Sequence, residues 1–156
     1  MKISFVCHGN ICRSPMAEFV LKKIAKEQSL NIYVESRATS DEEIIMGIGN
    51  KMHMGTVNVL RKNGVPFDEN KRAIQLKRND YDKFDLFIGM DGANVRNMLR
   101  IFGSDTENKV KLLLDYTGSK GENVDDPWYT GDFDTTYNDI TRGISALIEE
   151  IKNEIQ

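Results

Sequence analysis

Cysteine is scarce in this chain: its 156 residues contain two, Cys7 and Cys12, standing five apart in one short stretch. A disulfide-stapled scaffold needs more pairs, and two thiols are too few for a structural zinc site of four ligands. Reactivity is the role left for them. No apolar run approaches the roughly 20 residues that cross a bilayer, and Cys7 and His8 arrive before a secretory apolar core could be built, so the expectation is a cytoplasmic protein without a membrane segment. Neither sign of charge dominates. With 24 acidic and 21 basic residues mixed along the chain and a net charge of -3, there is no polybasic face for nucleic acid and no acidic tail. Prolines number three, and no repeat, low-complexity tract or Pro/Gly/Ser linker divides the chain, so residues 1–156 read as one domain. An apolar content of 40 % suffices for a single core.

The apolar residues fall into two kinds of pattern. Ile3 to Val6, Ile32 to Val34, Leu86 to Ile88 and Val110 to Leu114 are short, partly continuous runs, as strands buried on both faces of a parallel sheet should be. Between them lie helical spacings. Met16, Ala17, Val20, Leu21, Ile24 and Ala25 share one face, with Pro15 in the first turn, where no amide donor is missed. Val95, Met98, Leu99 and Phe102 form a second helix, capped by Asp91 and ended by Gly103. Tyr137, Ile140, Ile144, Leu147, Ile148 and Ile151 form a last long one, entered from Asp132 to Asp134. The stretch from Ile44 to Pro66 is interrupted by glycines, although Val57 and Leu60 indicate a helix before Asn63-Gly64. Alternating strand and helix predict an α/β three-layer sandwich with right-handed crossovers, whose ligand site lies beyond the carboxyl ends of its strands.

Cys7 ends the first strand and opens the stretch Cys7-His8-Gly9-Asn10-Ile11-Cys12-Arg13-Ser14, followed by the proline-started helix. A loop that winds into a helix N-terminus turns successive backbone amides toward one point and adds the helix dipole, which is what the oxygens of a phosphate require. Gly9 lets the backbone approach. Arg13 offers a planar, two-pronged donor, and its permanent charge favours the thiolate of Cys7 over the thiol, whose ordinary pKa is about 8.5. Ser14 can donate its hydroxyl to that sulfur. A buried strand-end thiol and a surface arginine would be the unremarkable interpretation of either residue alone. Strand, glycine, arginine, serine and helix in that order are what anion capture demands.

A phosphoenzyme reaction also needs a proton donor for the leaving oxygen, and the same group can later activate water. His8 lies inside the loop, and His53 falls in the poorly patterned middle, where an exposed or capping role fits it. The acidic turn Val124-Asp125-Asp126-Pro127-Trp128-Tyr129 is the better source. Pro127 biases Asp126 toward extended backbone, adjacent carboxylates raise each other's proton affinity, and the aromatic pair can desolvate the site.

These residues resemble the low-molecular-weight protein tyrosine phosphatase family, whose loop is cysteine, five residues, arginine, serine near the N-terminus. Cys7-x-Gly9-Asn10-x-Cys12-Arg13-Ser14-Pro15 fits the pattern, and Ser36-x-Ala38-Thr39-Ser40 and Met90-Asp91 are similar to its second and third strand exits. Asp126-Pro127 followed by two aromatics is similar to its acid loop. The resemblance implies a four-stranded parallel sheet flanked by helices and hydrolysis of aryl phosphate monoesters through a phosphocysteine. It needs neither metal nor cofactor. Cys7 would be the nucleophile, Arg13 the phosphate clamp, Ser14 the stabiliser of the leaving thiolate and Asp126 the acid then base. Asn10 and Ser36 would support the loop. His8, Gly9, Asn10, Ile11, Cys12, Ser14, Trp128 and Tyr129 would contact substrate, and Cys12 would form a redox disulfide with Cys7.

Trp128 stands where the family commonly has tyrosine, and an indole can either stack on an aryl phosphate or narrow the entrance. Ile11 stands where phosphoarginine phosphatases of the family tend to carry threonine, which favours an aryl ring and leaves a protein arginine phosphatase as the main alternative. A cysteine phosphocarrier would lack the arginine and the acid, and a phosphotyrosine-binding module would have no use for Asp126. Related arsenate reductases need further cysteines, which are lacking after Cys12. The implied partners are a phosphorylated protein or peptide and inorganic phosphate, with a monomer favoured. Met52, Met54 and Tyr129 are expected at the surface, as pocket rim or contact face.

Overall fold

The computed structural model describes residues 1–155. Four parallel strands, β1 (Lys2–Cys7), β2 (Tyr33–Ala38), β5 (Leu86–Gly89) and β6 (Val110–Leu112), form a sheet in the order β2-β1-β5-β6. A separate two-stranded hairpin, β3 (Ile44–Ile45) and β4 (Ile48–Gly49), stands apart from it. The helices are α1 (Arg13–Glu27), α2 (Met54–Lys62), α3 (Gly92–Phe102), α4 (Pro127–Thr130) and α5 (Phe133–Ile155).

Side-chain alternation along β1 builds both cores. Ile3, Phe5 and Cys7 enter the larger cluster, with Met16, Val20 and Leu21 of α1 and Ile140, Ile144, Leu147 and Ile148 of α5. Val6 points through the sheet into the second cluster, formed by Leu76, Phe84, Phe87, Met98 and Phe102 on the α3 side. Each of these buried side chains contributes about 1.5–3 kcal/mol from water exclusion. Three layers follow from two cores on one sheet, as the sequence pattern predicts. Order reverses between β1 and β5, because β2 and β5 flank β1 on opposite sides. The crevice at that reversal receives the ends of β1 and β5, and with them Cys7 and Asp91.

Several boundaries differ from expectation for physical reasons. The second strand starts at Tyr33 rather than Ile32 and continues to Ala38, because its polar residues are held inside: Ser36 Oγ donates to Glu18 Oε1 at 2.5 Å, and Arg37 Nε lies 3.3 Å from Asp80 Oδ2. The apolar run from Val110 is strand only to Leu112, and Leu113–Thr117 turns into 3₁₀ geometry, which puts Leu113 and Leu114 into the core beneath α5. Within the glycine-interrupted middle, the hairpin turns at Met46 and Gly47, both at positive φ, and α2 covers the indicated Val57 and Leu60. Met52 is buried in the main cluster instead of lying at the surface, whereas Met54 and Tyr129 are exposed. Asp91 caps α3 by accepting from Asn94 N–H at 2.8 Å, and Gly103 ends it in the left-handed region. Asp132 caps the start of α5 through Thr135 N–H at 3.0 Å.

Candidate active site

The loop from Cys7 to Ser14 closes around the thiol. Cys7 is 3 % exposed, at the floor of a cavity of about 110 Å³ lined by His8, Gly9, Ile11, Cys12, Arg13, Asp126, Trp128 and Tyr129, with Glu42 and Glu43 beside them. Its Sγ lies 3.0 Å from Ser14 Oγ and accepts the Asn10 amide N–H at 3.3 Å. Sulfur therefore faces polar donors, although its Cβ borders the apolar core. Asn10, not Gly9, takes the left-handed turn, at φ 60. Gly9 leaves room beside Glu43: a Cβ there would stand 3.1 Å from Glu43 Cγ, so a larger residue would have the glutamate side chain move by a few tenths of an ångström.

Among the described residues no protein acceptor meets the amide N–H groups of Gly9, Ile11, Cys12, Arg13 and Ser14. Arg13 and Ser14 open the 15-residue α1, whose first amides have no intrahelical acceptor, and Gly9, Ile11 and Cys12 stand in the loop just before it, so that the five together can serve an anion as a cradle.

Arg13 is 2 % exposed, and its guanidinium joins three parts of the site. Nη1 donates to Asp91 Oδ2 at 2.8 Å and to the Val124 carbonyl at 2.8 Å, while Nη2 reaches Asp126 Oδ2 at 3.4 Å. Of five N–H donors those on Nη1 are spent on the scaffold, which leaves the Nε and Nη2 edge to engage two oxygens of a bound phosphate. Burial works against this charge, but Cys7, Asp91 and Asp126 outweigh it and hold the group above the usual arginine range. Cys12 goes the other way from a useful nucleophile: burial, then the neighbouring Cys7, pushes its thiol up to about 12. Cys7 is the sulfur that carries the polar contacts.

Asp126 caps the four-residue α4 by accepting Trp128 N–H at 3.0 Å, with Pro127 as the first helical residue. The turn thus presents its second carboxylate oxygen to the pocket. Trp128 and Tyr129 are 58 % and 84 % exposed, so they form a rim and desolvate Asp126 less than expected of them.

Asn10 and Ser14 do not line the cavity; they lie behind its floor in a buried polar network. Asn10 Nδ2 donates to Ser14 Oγ at 2.7 Å and to Ser36 Oγ at 2.9 Å, and Ser36 passes the chain to Glu18. Asn10 Oδ1 accepts from Ile74 N–H and from Lys71 Nζ, each at 3.0 Å. Lys71 and Glu18 have no counterpart in the sequence reading, because a lysine 61 residues from its partner carries no local signal. Burial first, together with Arg37, outweighs the attraction of Glu18 and holds the Lys71 ammonium below the ordinary lysine range. Replacing Lys71 with methionine removes one of the two donors that pin Asn10 in its left-handed turn. The expected cost is about 1–2 kcal/mol of stability, by chemical denaturation, with a fall in kcat of about tenfold.

The rim contains a second unforeseen pair. His8 Nε2 sits 2.9 Å from Glu42 Oε2, and the His8 carbonyl accepts from Ser40 N–H and Oγ, which ties the segment after β2 to the loop.

A family model described as low molecular weight phosphotyrosine protein phosphatase matches residues 2–156. The chain is 38 % identical over 159 aligned positions to the low molecular weight protein-tyrosine-phosphatase YfkJ of Bacillus subtilis, covering 100 % of this chain and 99 % of that one. The crystal structure of YfkJ superposes with a TM-score of 0.92, at 36 % identity, covering 100 % of this chain and 97 % of the other. That of SP-PTP, a low molecular weight protein tyrosine phosphatase from Streptococcus pyogenes, gives 0.84 at 40 % identity, over 96 % and 91 %. A structure named as a Drosophila arginine phosphatase gives 0.87 at 28 % identity, over 97 % and 98 %. A whole-chain family match and a full-length relative at this identity, on a fold whose loop, arginine and acid turn meet in one cavity, make the chain a member of the low-molecular-weight protein tyrosine phosphatase family.

Proposed function

We propose that residues 1–156 act as one domain that hydrolyses phosphotyrosine in proteins or peptides, with Cys7 as nucleophile. Family membership makes the chain a hydrolase, which sets aside the carrier and binding-module readings. The observation that carries the assignment of roles is the sulfur of Cys7, held by the Asn10 amide in a loop whose amides at Gly9, Ile11, Cys12, Arg13 and Ser14 meet no protein acceptor among the described residues, with Arg13 linking that loop to Asp126.

In the first step Cys7 Sγ forms a bond to phosphorus as the bond to the phenolic oxygen breaks. Amides of the loop and the free edge of Arg13 hold the three equatorial oxygens, and Asp126 gives its proton to the departing phenol. Water then attacks the phosphocysteine, with Asp126 as base; inorganic phosphate leaves and Ser14 Oγ steadies the returning thiolate. Positive field comes from Arg13 and the amides, so the scheme calls for no metal or cofactor. Every group comes from one chain, and a monomer suffices. A free nucleophilic thiol suits the cytoplasm, where thiols are kept reduced.

Ile11 and Trp128 give the cavity apolar walls that suit a phenyl ring, which favours phosphotyrosine over phosphoarginine. The test is direct competition between a phosphotyrosine and a phosphoarginine peptide of one sequence. Faster phosphate release from the first supports the reading, and a preference for the second replaces it with the arginine phosphatase alternative.

Cys12 stands in the same loop and serves as the resolving thiol. Peroxide converts the Cys7 thiolate to a sulfenic acid, which removes one of the charges that hold the Cys12 thiol protonated; Cys12 Sγ then bonds to the Cys7 sulfur as hydroxide leaves, taking the Cys12 proton with it as water. Activity lost to mild peroxide is expected to return with a thiol reductant. In a Cys12→Ser variant the unprotected sulfenic acid is open to a second equivalent of peroxide, which takes it to the sulfinic acid, so the share of activity that reductant fails to restore is expected to rise with peroxide dose.

A further inference from the structure

Trp128 is the largest side chain lining the cavity, yet it stands on a single helical turn, and more than half of it is open to solvent. Little in α4 itself can hold an indole at a fixed angle. The support comes from His53, which lies outside the cavity and takes no part in the chemistry.

His53 is fixed on several sides. Its backbone N–H donates to the Ile11 carbonyl of the phosphate loop at 2.9 Å. Its Nδ1 caps α2 by accepting the Gly55 N–H at 2.9 Å, so the proton of the neutral ring sits on Nε2. The ring stacks on Phe133, with centroids 5.0 Å apart and an interplanar angle of 24°. Gly55 lies close against the same phenyl ring: a Cβ there would come within 2.4 Å of it. The remaining contact is with Trp128, whose ring meets His53 edge to face at 5.7 Å and 81°. A held imidazole therefore connects the loop that grips phosphate to the wall that faces the rest of the substrate.

We propose that His53 is a positioning residue: it sets the Trp128 indole at the spacing from the phosphate loop that a phenyl ring needs, and so governs recognition of the aryl group rather than bond cleavage. The idea rests on the aryl-phosphatase reading above. It requires that loss of the imidazole loosen Trp128 and raise KM for substrates with a ring, while substrates without one are handled as before.

Three variants separate this from a purely structural role. His53→Asn keeps an N-cap but has no ring, His53→Phe keeps a ring but has no cap, and His53→Ala has neither. An edge contact of this kind is worth a few-fold in affinity, so KM for p-nitrophenyl phosphate is expected to rise about three- to tenfold in His53→Asn and His53→Ala. Their kcat should stay within about twofold, and both constants for acetyl phosphate, which has no ring, should match the wild type. His53→Phe should restore KM even though its lost cap lowers the melting temperature. Trp128 is the single tryptophan of the chain, so intrinsic fluorescence anisotropy reads its mobility alone; it should fall in His53→Asn and recover in His53→Phe.

Wild-type KM and anisotropy in His53→Asn would overturn the proposal, and so would equal losses on both substrates. If the wild type hydrolyses acetyl phosphate but not the aryl ester, the aryl-phosphatase reading fails, and the anisotropy of the variants still decides whether His53 holds Trp128.

Discussion

Cys7→Ser is expected to lose turnover of p-nitrophenyl phosphate by at least about 10³-fold, because a hydroxyl remains protonated where a thiolate is needed, and Asp126, which must carry a proton to the leaving oxygen in that step, is not available to remove it. The fold should survive. Serine is smaller than cysteine and keeps a polar atom for Ser14 Oγ and the Asn10 amide, the two groups within 3.0 and 3.3 Å of the native sulfur. Inorganic phosphate should still bind, since the cradle amides and Arg13 are untouched, and calorimetric titration with phosphate distinguishes an intact but inert site from a collapsed one. Retained turnover would remove Cys7 from the nucleophile's role. Cys12 does not fill the gap: burial, the largest cause that pushes its thiol up, persists in the variant, and Cys12 has none of the polar contacts that Ser14 Oγ and the Asn10 amide make to position 7.

Asp126→Asn should separate substrates by their leaving groups. Asparagine can still accept the Trp128 N–H and so preserve the start of α4, where aspartate now accepts at 3.0 Å. What it cannot do is donate a carboxyl proton. Phenyl phosphate, whose leaving oxygen is strongly basic, is expected to slow by about 10²–10³-fold, and an ester of a strongly acidic phenol by less than about tenfold. The comparison is of kcat/KM across a series of substituted phenols, where the variant should show a steeper dependence on leaving-group pKa. Parallel loss across the series would take the acid role away from Asp126.

How far the sequence discloses this site depends on how local each signal is. The phosphate loop was legible because strand, loop and helix start occupy consecutive residues, from Ile3 to the apolar face of α1, and each obeys a rule of short range. Asp126 was legible only through chemical need together with the aspartate-proline turn. Lys71 and Glu18 escaped because their partners, Asn10 and Ser36, are brought to them by the packing of β2 against β1 and α1. His53 was readable as a cap, but its contact with Trp128 depends on where α2 and α4 come together. The apolar run Ile32 to Val34 marks only the first half of β2, because the polar Glu35, Ser36 and Arg37 extend the strand through partners, Glu18 and Asp80, that lie far away in the chain. Val110 to Leu114 shows the opposite failure. A continuous apolar run says that residues are buried without saying whether they lie in a strand or a turn, and here Leu112 and Leu113 fall on either side of that division.

Arg13 is the joint of the catalytic centre as well as its cation. One side chain bolts the phosphate loop to the end of β5 through Asp91, to the loop before α4 at Val124 and to the acid turn at Asp126. Evolution has little freedom to vary such a position by degrees. Lysine would preserve the sign of the charge but, as a point donor, could not brace two walls and still present a flat edge to an oxyanion. Kinetic losses in any variant at position 13 will therefore mix architecture with chemistry, and only double substitutions with Asp91 or Asp126 can divide the two.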